Sequence, residues 1–121
     1  LLARALEHLT FAAEDRIAYM YLSWQDFLDC GALPEHSEAI VNFALDVQGV
    51  KLAFLARETE LGDVKLSMRA LPPCKVDGIA AELGGGGHAL AAGCTLSMPL
   101  EQAVATIAGM MEKELQTGAN A

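Results

Sequence analysis

The sequence has no apolar run approaching about 18 residues, so it holds no membrane-spanning helix. Its opening, Leu1-Leu2-Ala3-Arg4-Ala5-Leu6-Glu7, lacks the charged start and apolar centre of a secretion signal. Both absences set the expectation of a cytoplasmic chain with no membrane partner. Cysteine is scarce. Cys30, Cys74 and Cys94 lie far apart in no zinc-like spacing, and are read as reduced, partly buried thiols. Basic residues are few as well: 8 lysines and arginines face 16 acids, for a formal net charge of −8. That balance argues against a general nucleic-acid coat protein. An initiator methionine is missing and the first residues already follow a helical pattern, so the chain is read as part of a longer protein.

What is present reads as one globular domain. The chain has 121 residues, 53% hydrophobic and 20% charged, enough to bury a core of its own. The charge is unevenly spread. In residues 1–43 only Arg4 and Arg16 oppose the acids, whereas residues 44–98 carry Lys51, Arg57, Lys65, Arg69 and Lys75. Any anion site therefore belongs to the second half.

Periodicity divides the chain into alternating elements. Residues 1–14 are expected as the end of a linker helix from a missing N-terminal catalytic domain, residues 15–116 as the domain proper, and 117–121 as a frayed tail. Arg16–Trp24 is a strand covered on both faces, followed by a helical turn over Gln25–Asp29 that ends at Gly31. Pro34 opens a helix through Leu45, ended by Gly49. Val50–Ala56 is a central strand, and Val64–Leu71 alternates cleanly, with Lys65, Ser67, Arg69 and Leu71 on the polar side. Those two strands are expected to pair as a hairpin. Pro72-Pro73 then breaks the sheet. Val76, Ile79, Ala80 and Leu83 mark a short amphipathic helix, Cys94–Met98 is strand-like, and a last helix from Pro99 buries Leu100, Val104, Ile107, Met111 and Leu115. The expected fold is α/β: a mixed sheet of about four strands with helices packed on it.

Gly84-Gly85-Gly86-Gly87 is an expensive run, since glycine loses the most backbone freedom on folding. Two explanations stand side by side. Successive N–H groups can converge on a phosphate, helped by a helix dipole if a helix starts at His88; or the glycines simply make a helix cap and a tight turn. No Gly-Lys-Ser/Thr follows, which excludes a Walker loop, and the third glycine of a dinucleotide fingerprint is missing. His88 can donate to a phosphate oxygen. Arg69 offers a planar fork for phosphate on the same strand face as Lys65 and Ser67; a solvated polar face is the alternative. His8 and His36 sit in acidic surroundings without a role. Tyr19, Tyr21 and Trp24 read as core, or else as a base-stacking platform.

Gly85-Gly86-Gly87-His88-Ala89-Leu90-Ala91-Ala92-Gly93 resembles the Gly-Gly-Gly-His-x-x-Ala-Ala-Gly signature of the DHH-associated domain. That domain is the C-terminal half of DHH phosphoesterases, among them RecJ exonucleases, NrnA-type oligoribonuclease/pAp-phosphatases and cyclic-di-AMP phosphodiesterases. Val64–Arg69 is similar to the family's strand ending in Ser-x-Arg, Val76–Ala80 to its Val-x-x-Ile-Ala helix, and Ser37–Ala44 to its Ser-Glu-x-x-Val-Asn-x-Ala helix. The matches look most like the NrnA-type branch.

The resemblance implies that Gly85, Gly86, Gly87, His88 and Arg69 hold the phosphates and terminal nucleotide of a substrate, with Lys65 and Ser67 in secondary positions. Ala70 stands where family members often have serine. The Asp-His-His motif is not in this chain, so the resemblance gives it no catalytic residue, metal ligand or cofactor of its own. Manganese or magnesium is expected in the missing DHH domain of the same protein. The expected ligands are short RNA, single-stranded nucleic acid, pAp or a cyclic dinucleotide, bound but not cut by this lobe. Two alternatives stand beside this: a non-catalytic RNA-binding module like the C-terminal domain of alanyl-tRNA synthetase, and a structural or homodimer-forming domain.

Overall fold

A computed structural model describes residues 1–119. The expected N-terminal helix is confined to α1 (Leu2–Glu7); Thr10–Ala12 instead form a short strand, β1, and β2 (Ile17–Leu22) returns beside it. The correction has a simple cause. The Thr10 hydroxyl donates to the His8 carbonyl (3.1 Å), drawing the chain out of the helix. In the turn between these strands Ala13, Glu14 and Asp15 all take positive φ, 52°, 57° and 65°.

Helix α2 (Trp24–Cys30) follows β2, framed by strong local signals. The Asp26 N–H donates to the Ser23 hydroxyl (3.1 Å) and the Ser23 N–H to the Asp26 carboxylate (2.8 Å), a reciprocal cap. Gly31 ends the helix in the left-handed conformation, φ 59°. The single helix expected from Pro34 to Leu45 is a 3-10 turn, Pro34–Ser37, followed by a short helix α3, Val41–Leu45. The Ser37 hydroxyl donates to the Pro34 carbonyl (2.7 Å), and three-residue hydrogen bonds such as Ile40 N–H to Ser37 carbonyl (3.1 Å) keep this stretch tight.

The expected hairpin is present as β3 (Leu52–Glu58) and β4 (Val64–Ala70). After α4 (Asp77–Glu82) come β5 (Gly86–His88), β6 (Ala91–Leu96) and α5 (Leu100–Ala119). The tail expected from residue 117 is helical as far as Ala119, with Gly118 buried against Cys74; residues 120 and 121 lie outside the described residues.

The described residues form a mixed sheet of six strands rather than about four, in the order β1-β2-β3-β4-β6-β5. Only β2 and β3 are parallel, and α2 and α3 provide the crossover that parallel strands need. Two cores flank the sheet. On one face Phe54, Leu66, Met68 and Cys94 pack under α4 and α5, with Ile107, Met111 and Leu115. On the other, Met20, Leu22, Ala53 and Leu55 pack under α1, α2 and α3, with Phe27 and Val41. Each such side chain contributes about 1.5–3 kcal/mol when fully buried.

The second cover is shorter than the sheet. It lies over β2 and β3, and α3 reaches as far as β4. On the same face, the residues of β4, β6 and β5 stay half-buried or exposed.

Candidate phosphate-binding face

Strand register assembles this more open half-face row by row. Residues directly opposite in a sheet share a face. Arg69 pairs with Ala91, and Ala91 with His88; Ser67 pairs with Gly93, and Gly93 with Gly86; Lys65 pairs with Thr95. Arg69 and His88 therefore stand on either side of Ala91, about 10 Å apart at the backbone across two strand spacings. Between and beside them, Ala91, Gly93 and Gly86 give a floor almost without side chains. The result is a shallow seat with a cation at one side, an imidazole at the other and the Ser67 hydroxyl in the adjoining row.

The guanidinium of Arg69 is half-buried and donates one hydrogen bond to the Met68 carbonyl (2.9 Å). That contact orients the fork and leaves its other N–H groups for a ligand. Ion pairs among the described residues gather around Arg4 and Asp26, at 2.7 Å, and take in Glu7, Asp29 and His8; none engages Arg57, Lys65, Arg69 or His88. Among the described residues, no carboxylate lies within ion-pair distance of these basic side chains.

The four glycines divide their work, and no helix starts at His88. His88 closes strand β5, which turns through Ala89-Leu90 straight into β6. The turn is tied down at both carbonyls: Ala70 N–H donates to Leu90 (3.0 Å) and Val76 N–H to Ala89 (2.7 Å). Gly84, φ 85°, ends α4, and the N–H of Gly85 is spent on the Ala80 carbonyl (2.7 Å). An added Cβ at Gly85 would fall on the Gly93 carbonyl oxygen, and one at Gly87 would come within 2.6 Å of the Ala92 Cα. Those two glycines let β5 lie against β6. Gly86 differs: a Cβ there meets nothing within 4 Å and would stand over the seat. The glycine run is therefore a cap and a close strand pairing with one open position, and β5 contributes edge-strand N–H groups rather than a converging nest.

The remaining residues that the sequence brings to attention fall elsewhere, for reasons of alternation and capping. Tyr19 stacks on Phe54 (centroids 4.7 Å apart) and Tyr21 on His8 (4.6 Å), on the face opposite Arg69 and His88. The Nδ1–H of His8 donates to the Tyr21 carbonyl (2.8 Å), and His36 Nδ1 accepts from the Leu33 N–H (2.9 Å). Cys74 and Cys94 are buried, and burial pushes both thiols up; Cys30 is exposed. Arg57 and Thr95 join the face although no sequence pattern singles them out as site residues. Thr95 could have been found, because Ala92, Cys94 and Leu96 alternate with it as buried residues.

The donor set does not suit manganese or magnesium. One imidazole among cations and a hydroxyl offers none of the carboxylate oxygens those ions take, and no group of three His, Cys, Asp or Glu side chains converges among the described residues.

Residues 14–117 match the model of the DHHA1 domain, and the chain belongs to that family, the DHH-associated domain of DHH phosphoesterases. It is similar to the bifunctional oligoribonuclease and PAP phosphatase NrnA of Thermus thermophilus, with 38% identity over 88 residues, 72% of this chain and 26% of that protein. Among solved structures it resembles an exopolyphosphatase-related protein of Bacteroides fragilis, with a TM-score of 0.85 and 25% identity over 93% of this chain and 33% of that one. The pGpG-specific phosphodiesterase PggH of Vibrio cholerae shares the fold, with a TM-score of 0.63 at 12% identity over 93% of this chain and 37% of that one. The chain thus spans between about a quarter and two fifths of the length of these relatives.

Proposed function

We propose that this domain is the substrate-holding lobe of a phosphoesterase, seating the phosphate of a short oligonucleotide, pAp or cyclic dinucleotide between Arg69 and His88. The observation that carries the reading is the row Arg69–Ala91–His88, set over a floor of Ala91, Gly93 and Gly86 on the half of that face where residues stay half-buried or exposed. An arginine fork and an imidazole facing each other across a small-residue floor leave space for a tetrahedral anion and supply donors to it. In this reading the lobe binds and orients, and bond cleavage belongs to a DHH domain carrying manganese or magnesium. The oligoribonuclease and phosphatase activities named for the Thermus relative support the substrate class.

Arg69→Ala in the full-length protein tests it. A charge-assisted hydrogen bond contributes about 1.5–3 kcal/mol, so affinity for pAp and for a three-nucleotide RNA should fall roughly 10- to 150-fold with little change in thermal stability. Titration of the labelled domain with either ligand, followed by NMR, should move the signals of Gly86, His88 and Arg69 first. Normal affinity in Arg69→Ala would remove the clamp.

A further inference from the structure

We infer that a second phosphate of the same nucleic-acid strand is held beside Arg57 and Lys65, so that the preferred ligand is a single-stranded oligonucleotide running along β4. The inference rests on the proposed reading, because it takes the Arg69–His88 seat as the place of the first phosphate. It starts from an unfavourable pair. Arg57 and Lys65 are direct cross-strand partners in β3 and β4. Like charges in that position repel and destabilise a sheet, and neither makes an ion pair among the described residues. Burial pushes the Arg57 guanidinium down and nearby Glu38 partly offsets this; an arginine stays charged regardless.

The two cations share a cavity of about 420 Å³ with the hydroxyls of Ser67 and Thr95 and the backbone of Gly85 and Gly93, and no acid lines it. A second groove of about 360 Å³ continues from the same Arg57, Lys65 and Thr95 to Trp24. There the charge reverses, since Glu60 and Asp63 line it. A phosphate fits the glycine side of Lys65, and an uncharged base fits the Trp24 side, where an indole can stack.

Spacing sets the ligand class. Lys65, Ser67 and Arg69 lie on alternate residues of one strand, about 6.7 Å per step. Two steps separate the backbone positions of Arg69 and Lys65, further than the two phosphates of one nucleoside bisphosphate lie apart. Continuous occupation of both seats requires a chain of nucleotides.

The test is binding by the full-length protein without metal, read by fluorescence anisotropy with a labelled five-nucleotide RNA and by its competition with pAp. Lys65→Ala, Arg57→Gln, the double variant and Arg69→Ala are compared, with thermal unfolding as the fold control; Lys65 is exposed, so its single variant keeps the comparison alive if Arg57→Gln unfolds. The double variant should bind the RNA at least tenfold more weakly, lower the slope of log affinity against log salt by about 0.7 per lost phosphate contact, and keep its pAp affinity within twofold. Unchanged RNA affinity, or an equal loss of pAp, overturns the second seat. Loss of both ligands in Arg69→Ala alongside an unaffected double variant leaves the first seat standing and removes the second. Undiminished binding in Arg69→Ala removes the first.

Discussion

Along the row Ala18–Ala53–Arg69–Ala91–His88 one face of the sheet passes from sealed to bare. Over β2 and β3 the inward positions are Ala18, Met20, Leu22, Ala53 and Leu55, all buried under α1, α2 and α3. Over β4, β6 and β5 the equivalent positions are Ser67, Arg69, Ala91, Gly93, Thr95 and His88, which stay half-buried or exposed although α3 reaches β4. The strands alternate in the same way in both halves. What differs is the cover, and residue type follows it: aliphatic where helices exclude water, and cationic, hydroxylic or absent where water or a ligand reaches the sheet. The opposite face has no such division, because α4 and α5 span its strands. Stability and binding are therefore separable on this domain, and substitutions in the two halves should move different measurements.

The largest effect on stability belongs to the sealed side of the sheet. Phe54 is fully buried in the core beneath α5 and stacks on Tyr19, so Phe54→Ala should cost about 3–5 kcal/mol in a denaturant titration. Gly85→Val comes next. Its first added carbon already collides with the Gly93 carbonyl and with Cys94 at 2.7 Å, and separating β5 from β6 should cost about 1–3 kcal/mol or more. A Gly85 variant with native stability and lost binding would contradict this division, since it would make Gly85 a ligand contact rather than a strand-packing position.

Asp26 tests the cover over the sealed half. Burial alone would raise its carboxyl, but the Ser23 N–H and the Arg4 guanidinium hold it below the usual carboxylate range. The folded state thus binds this proton less readily than the unfolded chain. The stabilisation is full above the ordinary carboxylate value of about 4 and fades as pH falls through the lowered native value. Asp26→Ala should cost about 1–2 kcal/mol near neutrality through the lost cap, and the gap to the natural chain should close in acid. A gap independent of pH would mean that the carboxylate charge contributes nothing. Binding of pAp, on the other half, should be unaffected throughout.

Much of this arrangement is legible in local sequence. The alternation of Val64–Ala70 alone assigns Lys65, Ser67 and Arg69 to one face, and the family signature points to His88. Its limits are physical. Three-residue strands such as Thr10–Ala12 and Gly86–His88 are too short for a period to show. Insertion of β6 between β4 and β5 is a long-range pairing that no local pattern encodes, yet it alone brings His88 into line with Arg69. Arg57 does not stand out because it ends a nearly continuous apolar run, in which a strand buried on both faces shows no alternation. The glycine run misleads through composition: four adjacent glycines suggest one purpose, whereas a helix cap, two strand-packing positions and one open position divide it.

That open position gives the smallest expected change in stability and the sharpest separation of the two halves. Gly86 has no positive φ, lies in an extended strand, and leaves space for a side chain. Glycine weakens a strand by roughly 0.5–1 kcal/mol relative to alanine, and β-branched residues suit the pleated surface. Gly86→Val should therefore keep or slightly raise the thermal midpoint. Its isopropyl group would stand over the floor between Arg69 and His88, so oligonucleotide affinity should fall in the same variant. A purely structural glycine predicts the reverse pairing, with the midpoint lowered and any binding retained, and measuring both quantities on one variant separates the two cases.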